Sequence, residues 1–290
     1  MRLRARITNA GLLIKMAQSV EKLSKTWVIL FTREYVHFIV GKSSVSETMQ
    51  MFGQIKQDRI FEEYLVESAL NNQIFVEVSA EQFVRGLKSC HQALDVKLKL
   101  AKKDGWPMLS LNITNSSRTG NRLYLTQDIP VRVLQSDESA ELTEPEVESQ
   151  QVHILLPPLN DLKTIAERLK AIGTHVVVAA NMNGELVLKV VADAVRVETS
   201  FKGLINPELG QPDGTPAPTP QTALKHRTAF AHVRVDMRDF VKFLHSSIVN
   251  PKNVICCIVD GQSLLLYVYL GQNTDSDDGQ FIYFIPARSH

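Results

Sequence analysis

The stretch VEVSAEQFVRGL at residues 76–87 occurs a second time, in altered form, as VRVDMRDFVKFL at residues 233–244. The positions that keep the same residue include Val76/Val233, Val78/Val235, Phe83/Phe240, Val84/Val241 and Leu87/Leu244. Each copy predicts a short alternating strand, then an N-cap residue, Ser79 or Asp236, and then an amphipathic helix. Similarity at about half the chain length indicates that the fold is built from duplicated units.

The alternating segments LRARI (3–7) and VHILL (152–156) form a second pair at a similar separation. A helical pattern follows each of them, roughly over 10–25 and roughly over 159–172. Alternating strands are then predicted at 27–31, 35–40, 48–55, 60–68, 73–78, 95–101, 108–114 and 121–129, and in the second half at 175–180, 185–190, 253–259, 263–270 and 280–287. The sequence therefore predicts an α+β fold of two similar domains, each made of antiparallel sheets and two helices.

The composition of the connecting segments divides the 290-residue chain into domains. Residues 135–150 are rich in acidic residues and poor in large apolar ones, which predicts an exposed acidic connector. We therefore expect an N-terminal domain at 1–134 and a C-terminal domain at 151–290. Closely spaced prolines interrupt the C-terminal domain at 203–228, which predicts a long surface loop.

Cysteine usage and charge restrict the class of protein further. Three cysteines are too few for a disulfide framework, which indicates a reducing compartment. No apolar run reaches membrane-spanning length, and the first residues lack the apolar core of a signal peptide, so we expect no membrane partner. With a net charge of +1, any nucleic-acid binding must come from a local concentration of charge.

The four predicted helices share a positive bias on the face opposite their apolar stripe. In the order of the helices, the cations are Lys15, Lys22 and Lys25; Arg85 and Lys88; Lys163, Arg168 and Lys170; and Arg238, Lys242 and His245. Glu167 interrupts this face of the third helix. If the duplication places all four helices on one concave wall, their charges add to a track for duplex phosphates, without sequence readout. The alternative is that these are ordinary solvent-facing residues.

Several runs are more idiosyncratic than strand or helix propensity requires. They are MRLRARI (1–7), NNQIFVEVSAEQFVRGLK (71–88), QDIPVRV (127–133), NMNGELVLKV (181–190), FKGLINP (201–207), HVRVDMRDFVKFL (232–244), VNPKN (249–253) and YFIPA (283–287). With the duplicated plan and the acidic connector, they resemble the DNA sliding clamps of the PCNA type. Within that family the chain is similar to the Hus-one subunits of the heterotrimeric DNA-damage checkpoint clamp, the nine-one-one complex.

The resemblance implies a PCNA-like subunit with its helices on the inner face, which joins Rad-nine-type and Rad-one-type subunits in a closed heterotrimeric ring. It implies that a clamp loader opens this ring at damaged DNA and that the ring then encircles double-stranded DNA without sequence specificity. The ring would present docking surfaces to checkpoint and repair proteins in the nucleus. The resemblance implies neither a cofactor nor a catalytic residue nor a metal site.

Rings of this type join through edge strands, and by position we expect 108–114 and 175–180 to be those edges. The expected interface residues are Met108, Leu109, Leu111, Ile113, His175, Val176, Val177 and Val178. The apolar run 175–178 favours coverage by a partner, because an exposed edge of this kind promotes aggregation. Neighbouring strands of the same subunit are the alternative cover.

Motifs for catalysis do not stand out. The histidines show no metal-ligand spacing, and the sequence has neither a glycine-rich phosphate loop nor a nucleophile elbow. A metal-dependent nuclease would need Asp275, Asp277 and Asp278 as metal ligands, although a solvated acidic turn is the expected structure there. A homotrimeric replication processivity clamp and an interaction scaffold that never surrounds nucleic acid are the remaining alternatives.

Overall fold

The structure is a computed structural model, which describes residues 1–41, 48–117, 120–145, 150–193, 195–207, 227–270 and 279–288. The strands of the first half are β1 (Arg2–Ile7), β2 (Thr26–Phe31), β3 (Tyr35–Val40), β4 (Gln50–Lys56), β5 (Phe61–Glu67), β6 (Ile74–Ser79), β7 (Asp95–Lys103), β8 (Trp106–Ser116) and β9 (Arg122–Val133). Helix α1 (Ala10–Glu21) follows β1, and helix α2 (Ala80–Lys88) follows β6.

A short helix, α3 (Ser136–Ala140), lies in the connector and leads into the second half. The strands there are β10 (Val152–Leu155), β11 (His175–Ala180), β12 (Leu186–Val191), β13 (Arg196–Phe201), β14 (Ala231–Asp236), β15 (Asn253–Val259), β16 (Ser263–Tyr269) and β17 (Gln280–Pro286). Helices α4 (Leu159–Lys170) and α5 (Met237–Leu244) follow β10 and β14, and a 3₁₀ helix (His245–Val249) continues α5. Most of the proline-rich stretch 203–228 lies outside the described residues.

The strand order repeats between the two halves. One sheet of 13 strands has the order β10-β15-β16-β17-β4-β3-β2-β6-β9-β8-β7-β1-β5, and a second sheet has the order β13-β12-β11-β14. The run β4-β3-β2-β6 therefore recurs as β13-β12-β11-β14, and β1-β7-β8-β9 recurs as β10-β15-β16-β17. This repetition confirms the duplicated plan, and β5 has no counterpart strand in the described residues of the second half.

Alternation along the strands separates a helix-covered face from an outer face. On β1 the side chains of Leu3, Ala5 and Ile7 are buried, whereas those of Arg2 and Arg4 are exposed. The helices lie on the buried face, as the close approach of α2 shows. A Cβ added at Gly86 would lie 2.6 Å from the Cδ1 atom of Ile129, so any larger residue there would force the Ile129 side chain on β9 to shift.

The two copies of the opening motif differ at their helix starts. The Asp236 carboxylate accepts a hydrogen bond of 2.7 Å from the Arg238 backbone N–H, which caps α5. Ser79 occupies the same place before α2, but its side chain makes no capping hydrogen bond. Helix α1 ends earlier than the periodicity predicts, because a tight turn that closes with Leu23 N donating to Val20 O replaces its last turn.

The predicted edge strands are wrong. Residues 108–114 lie in β8, which pairs with β7 on one side and with β9 on the other. Residues 175–180 form β11, which pairs with both β12 and β14. Met108, Leu109, Leu111, Ile113, His175, Val176, Val177 and Val178 are therefore interior positions, because strands of the same chain already cover both edges.

One antiparallel pair, β4 with β17, joins the two halves, and Phe52 stands opposite Ile282 in its register. Gly53 lies directly across from Phe281, and a Cβ added there would come within 2.4 Å of the Phe281 ring. The ring of Phe281 also meets Phe38 edge to face, with 6.4 Å between centroids. The missing side chain at position 53 thus makes room for an aromatic core at the joint.

Three buried hydroxyl groups form a network beneath the helices, and one of its contacts joins the two halves. The Oη atom of Tyr283 on β17 lies 3.4 Å from Ser19 Oγ on α1 and 2.8 Å from Ser246 Oγ on the 3₁₀ helix. Ser246 Oγ also lies 2.6 Å from the carbonyl oxygen of Phe243, to which it donates. All three hydroxyl side chains are buried, so this network satisfies groups that would otherwise be costly in the core.

Candidate nucleic-acid interface

The helices form one continuous layer on the buried face of the sheets. Helix α1 contacts α2, and α4 contacts α5. The 3₁₀ helix at 245–249 contacts both α1 and α4, so it bridges the helix pair of the first half and that of the second half. The cations of all four helices therefore lie on neighbouring elements.

Burial on the helices fixes which residues face outward. The buried side of α2 consists of Ala80, Phe83, Val84, Gly86 and Leu87, and that of α5 consists of Met237, Phe240, Val241, Phe243 and Leu244. Arg85, Lys88 and Arg238 are exposed on the opposite sides, and Lys242 is half-buried. On α1 the apolar side packs inward and Lys15 is exposed, with Lys22 and Lys25 exposed just beyond its last residue.

Part of the positive charge is paired within its own helix. Arg85 pairs with Glu81, Lys170 with Glu167 at 3.9 Å, Lys242 with Asp239 at 3.4 Å, and Arg238 with its N-cap Asp236 at 3.6 Å. Exposed pairs of this kind contribute about 0.3–0.5 kcal/mol and exchange readily with other anions. Within the described ranges, Lys15, Lys22, Lys25, Lys88 and Arg168 have no carboxylate within ion-pair distance.

Cations from three helices meet at His245, where the two halves join. The Nζ atom of Lys163 lies 3.4 Å from the Nδ1 atom of His245, which can accept from it when the imidazole is neutral. Burial lowers the pKa of His245, and the charges of Lys163, Lys22 and Lys170 lower it further, while Glu167 opposes them. His245 is therefore neutral at pH 7, and a bound phosphate would favour its protonated form.

The arrangement suits phosphate contacts that are weak and interchangeable. Long side chains on exposed helix faces reach backbone oxygens without reading base edges. The predicted residues Lys22, Lys163, Lys170 and His245 come together at the junction. Arg85 and Lys88 lie on α2, beside Lys25, whose carbonyl accepts from the backbone N–H of Ala80.

Two open strand edges were not identified from the sequence. The first eight residues or so of β9 pair only with β8, and Leu123, Tyr124 and Leu125 there are 54%, 77% and 46% exposed. The other open edge is β13, which pairs with β12 and has no further strand beside it in the described residues. The sequence signal at this edge is the pair of leucines, Leu123 and Leu125, in a strand. Their exposure becomes evident only once the strand pairing is known.

A groove of about 230 Å³ lies between the connector and the outer face of β3, β4 and β17. Its lining includes Leu30, His37, Ile39, Phe52, Leu142 and Glu144. Arg132 holds the connector against the sheet, because it pairs with Glu77 at 2.6 Å and with Glu138 of α3. Burial lowers the pKa of His37 and raises the pKa of Glu144, so both groups favour their neutral forms more than in water.

Metal-binding and nucleophilic groups are sparse among the residues that can be placed. No set of three or more His, Cys, Asp or Glu side chains in this part of the chain could hold a metal ion. Asp275, Asp277 and Asp278 lie outside the described residues. Burial raises the pKa of Cys90 to about 11 and that of Cys257 to about 12, so these thiols are protonated at neutral pH. Of the helices in the described ranges, none is long and apolar enough to cross a membrane.

Relatives from several organisms and solved structures of PCNA match nearly the whole chain. The chain is 33% identical over 285 residues to "Checkpoint protein hus1" of Schizosaccharomyces pombe, with 98% of each chain covered. It is 31% identical over 297 residues to "Checkpoint protein HUS1" of Homo sapiens, with 100% of each covered, and 29% identical over 289 residues to the homologue of Dictyostelium discoideum.

The fold is similar to that of Proliferating Cellular Nuclear Antigen from Entamoeba histolytica, with a TM-score of 0.72, 12% identity and 99% of each chain covered. PCNA from Thermococcus kodakaraensis gives a TM-score of 0.68 at 16% identity, with 99% of this chain and 100% of that chain covered. These likenesses confirm the PCNA-like fold. The sequence profile of the Hus1-like protein family matches residues 1–289, and the chain belongs to that family.

Proposed function

We propose that this chain is one subunit of a ring-shaped heterotrimeric checkpoint clamp, which is loaded on damaged DNA, encircles the duplex and recruits checkpoint and repair proteins. Its neighbours in the ring are a Rad-nine-type and a Rad-one-type subunit, and a clamp loader opens the ring. The chain works without catalysis, in the nucleus. Membership of the Hus1-like family and the PCNA-like fold support this proposal.

The observation that carries it is the pair of open edges. In the duplicated plan β13 corresponds to β4, and β9 corresponds to β17. Since β4 and β17 pair within the chain, the open β13 of one subunit matches the open β9 of the next by the same geometry. Residues 1–134 and 151–290 are then successive domains around the ring, joined by the connector at 135–150, and β13 and β9 replace the edges expected from sequence.

The side chains on these edges suit a joint between chains. Leu123 and Leu125 fall on the same face of the sheet as Ile129 of β9 and Ile113 of β8, which are both buried. On β13, Val197 and Phe201 pack partly against the core of their own half, while Arg196 and Glu198 face outward. Joining β9 to β13 would cover the two leucines and satisfy both rows of backbone groups.

The helix layer supplies the DNA contact. Lys15, Lys22, Lys25, Arg85 and Lys88 are exposed in the first half. In the second half α4, α5 and the 3₁₀ helix carry a further set, of which three are exposed, Arg168, Lys170 and Arg238, and three are half-buried, Lys163, Lys242 and His245. Because many of them are free or held by weak pairs within one helix, each can exchange one phosphate for another as the duplex moves. The ring can therefore slide without dissociating.

The groove beside the connector is where we place docking of checkpoint and repair proteins. It combines apolar walls from Leu30, Ile39 and Phe52 with polar groups at its rim, as sites for a peptide with an apolar anchor do. It lies on the outer face, away from the helices. A bound partner would therefore not compete with enclosed DNA.

The stoichiometry of the assembled protein tests the proposal. We expect co-expression with a Rad-nine-type and a Rad-one-type subunit to give a 1:1:1 complex by gel filtration with light scattering. A stable trimer of this chain alone would contradict the heterotrimer and favour the homotrimeric replication clamp. A ternary complex that does not retain circular duplex after incubation with its clamp loader would contradict enclosure of DNA and favour a scaffold.

A further inference from the structure

The outer face of the first half contains a group of cations that the clamp function does not use. On this face Arg4 of β1 stands directly opposite Lys99 of β7, and Arg6 stands opposite Lys97. Arg4, Lys97 and Lys99 are exposed, and their neighbours Leu3, Ala5 and Leu98 point to the opposite, helix-covered side. These three cations therefore face away from the helix layer.

Like charges directly opposite each other on two strands are destabilising. One of the two cross-strand pairs is neutralised, because Arg6 lies 2.7 Å from Asp95 and 3.5 Å from Glu62. In the described part of the chain, neither Arg4 nor Lys99 nor Lys97 has a carboxylate within ion-pair distance. The fold thus keeps two like charges directly opposite each other, and no ion pair within the described residues neutralises them, although Asp128 acts on Lys99 from a longer distance.

The surrounding cations show that unpaired charge is an exception on this surface. Arg2 pairs with Glu67 at 3.8 Å, and Lys103 pairs with Asp128 at 2.5 Å. In the second half the corresponding strands, β10 and β15, place Leu155 opposite Ile255 on the outer face, and Ile255 is buried. The same place in the fold is therefore covered and apolar in one half and open and cationic in the other.

The spacing of the three cations and the carboxylates around them indicate which kind of anion fits this site. Directly opposite positions in a sheet lie about 5 Å apart, and Lys97 and Lys99 lie about 7 Å apart along β7, so all three side chains can reach one group. Glu62, Asp95 and Asp128 lie around the three cations, and they repel a long polyanion such as nucleic acid. A compact dianion with three acceptor oxygens fits best.

We propose that Arg4, Lys97 and Lys99 form a docking site for a phosphorylated serine or threonine in a flexible segment of a partner protein. The guanidinium of Arg4 supplies a fork of donors, and the two ammonium groups complete the neutralisation. The site lies on the face opposite the helices, so a phosphorylated partner and duplex DNA can be bound at the same time. The proposal does not depend on ring assembly.

A peptide-binding experiment on the full chain tests this site. The probe is a fluorescein-labelled peptide library with a central phosphoserine and randomised uncharged flanks, measured by anisotropy. We expect binding to weaken by about tenfold or more in the triple variant Arg4→Gln, Lys97→Gln, Lys99→Gln, because three charge-assisted contacts are lost. The matched control Arg33→Gln, Lys202→Gln, Lys252→Gln removes equal charge elsewhere and should bind as the unaltered chain does.

Two further measurements separate docking from a structural or general electrostatic role. Lys99→Gln alone should weaken binding without lowering the melting temperature, because it also removes the repulsion with Arg4. The library with Asp-Asp in place of phosphoserine should bind clearly more weakly. Equal binding by the two triple variants, equal binding of the Asp-Asp library, or loss of duplex binding in the triple variant Arg4→Gln, Lys97→Gln, Lys99→Gln would each overturn the proposal.

Discussion

The β4–β17 joint and the open edges of β9 and β13 occupy equivalent positions in the duplicated plan, yet their side chains differ in how completely they are buried. At the joint, Gly53 leaves room for Phe281, and the aromatic ring is buried completely. On β9, Leu123 and Leu125 remain half exposed. The same strand geometry therefore occurs in two forms. Tight core packing makes the β4–β17 joint permanent, whereas we propose that the exposed leucines of β9 are covered by a partner subunit.

Phe281→Ala should have the largest effect, because it opens a cavity where the halves meet. We expect a loss of about 3–5 kcal/mol in the free energy of unfolding, measured by chemical denaturation of the isolated chain. The matched control is Leu123→Ala on the open edge, which should change that free energy by less than about 0.5 kcal/mol. Similar losses for the two variants would remove the distinction between a permanent and a conditional joint.

The double variant Leu123→Asp, Leu125→Asp addresses the open edge. It should weaken assembly with the partner subunits by about 100-fold, because two apolar side chains become charges that the joint would bury. Gel filtration of the co-expressed subunits measures this, and the melting temperature of the isolated chain should hardly change. Asp substitutions at Leu109 and Leu111 on β8, which are both fully buried, offer a contrast, since they should unfold the chain itself. If the double variant assembles normally, β9 is not the joint.

The contribution of the helix-layer cations to DNA affinity can be distinguished from that of cations elsewhere on the chain. Changing Lys15, Lys22, Arg85 and Lys242 together to glutamine should lower the affinity of the assembled ring for duplex by about tenfold at physiological salt. The slope of log affinity against log salt should fall by roughly 3–4, since each phosphate contact contributes about 0.9. The control changes Arg33, Lys102, Lys202 and Lys252, which lie off the helices. Equal slopes in the two variants would contradict the proposed track.

A smaller effect is expected from pH at the junction. Because its pKa is lowered in the free chain, His245 should take up a proton when a phosphate arrives, so duplex affinity should rise as the pH falls. We expect a gain of about two- to threefold from pH 7.5 to pH 5.5, through a window below the ordinary histidine pKa of about 6.5. In His245→Gln this gain should be absent.

The same lowered pKa has the opposite effect on the stability of the free chain. The unfolded chain binds this proton more tightly than the folded one, so the contribution of His245 to stability is complete above the unfolded pKa and declines as the pH falls below it. If lowering the pH lowers the melting temperature and raises the duplex affinity, both expected effects of the lowered pKa are confirmed. An affinity that falls in parallel with stability would argue against a phosphate at His245.

Local patterns predicted the elements well, and they failed where the order of strands matters. Alternation marks residues 108–114 as a strand, but it does not say that β9 lies between that strand and the outside. Strand β13 was missed because its buried and exposed faces are both weakly defined, with only Val197 and Phe201 packing on the core. Helix α3 was missed because five residues show no periodicity, although the reciprocal capping by Gln135 and Glu138 was visible in principle.

The residues of the candidate site were likewise predictable where local patterns decide them and unpredictable where packing between elements decides them. The basic helix faces follow from periodicity, because one apolar stripe fixes the opposite side. The meeting of Lys22, Lys163 and His245 could not be predicted, since it depends on how the 3₁₀ helix of one half packs on α1 of the other. The outer cations were equally hidden, because a cross-strand pair such as Arg4 and Lys99 exists only once β1 and β7 are in register.

The cluster of Ser19, Tyr283 and Ser246 has a mechanical consequence. Parting the two halves of one chain would separate Ser19 from Tyr283, and a hydroxyl group left unpaired in apolar surroundings costs about 1–3 kcal/mol. This contact adds to the β4–β17 pairing that holds the halves together. If the chain forms part of a ring, as we propose, we expect the boundary between neighbouring chains to open before the joint within one chain does.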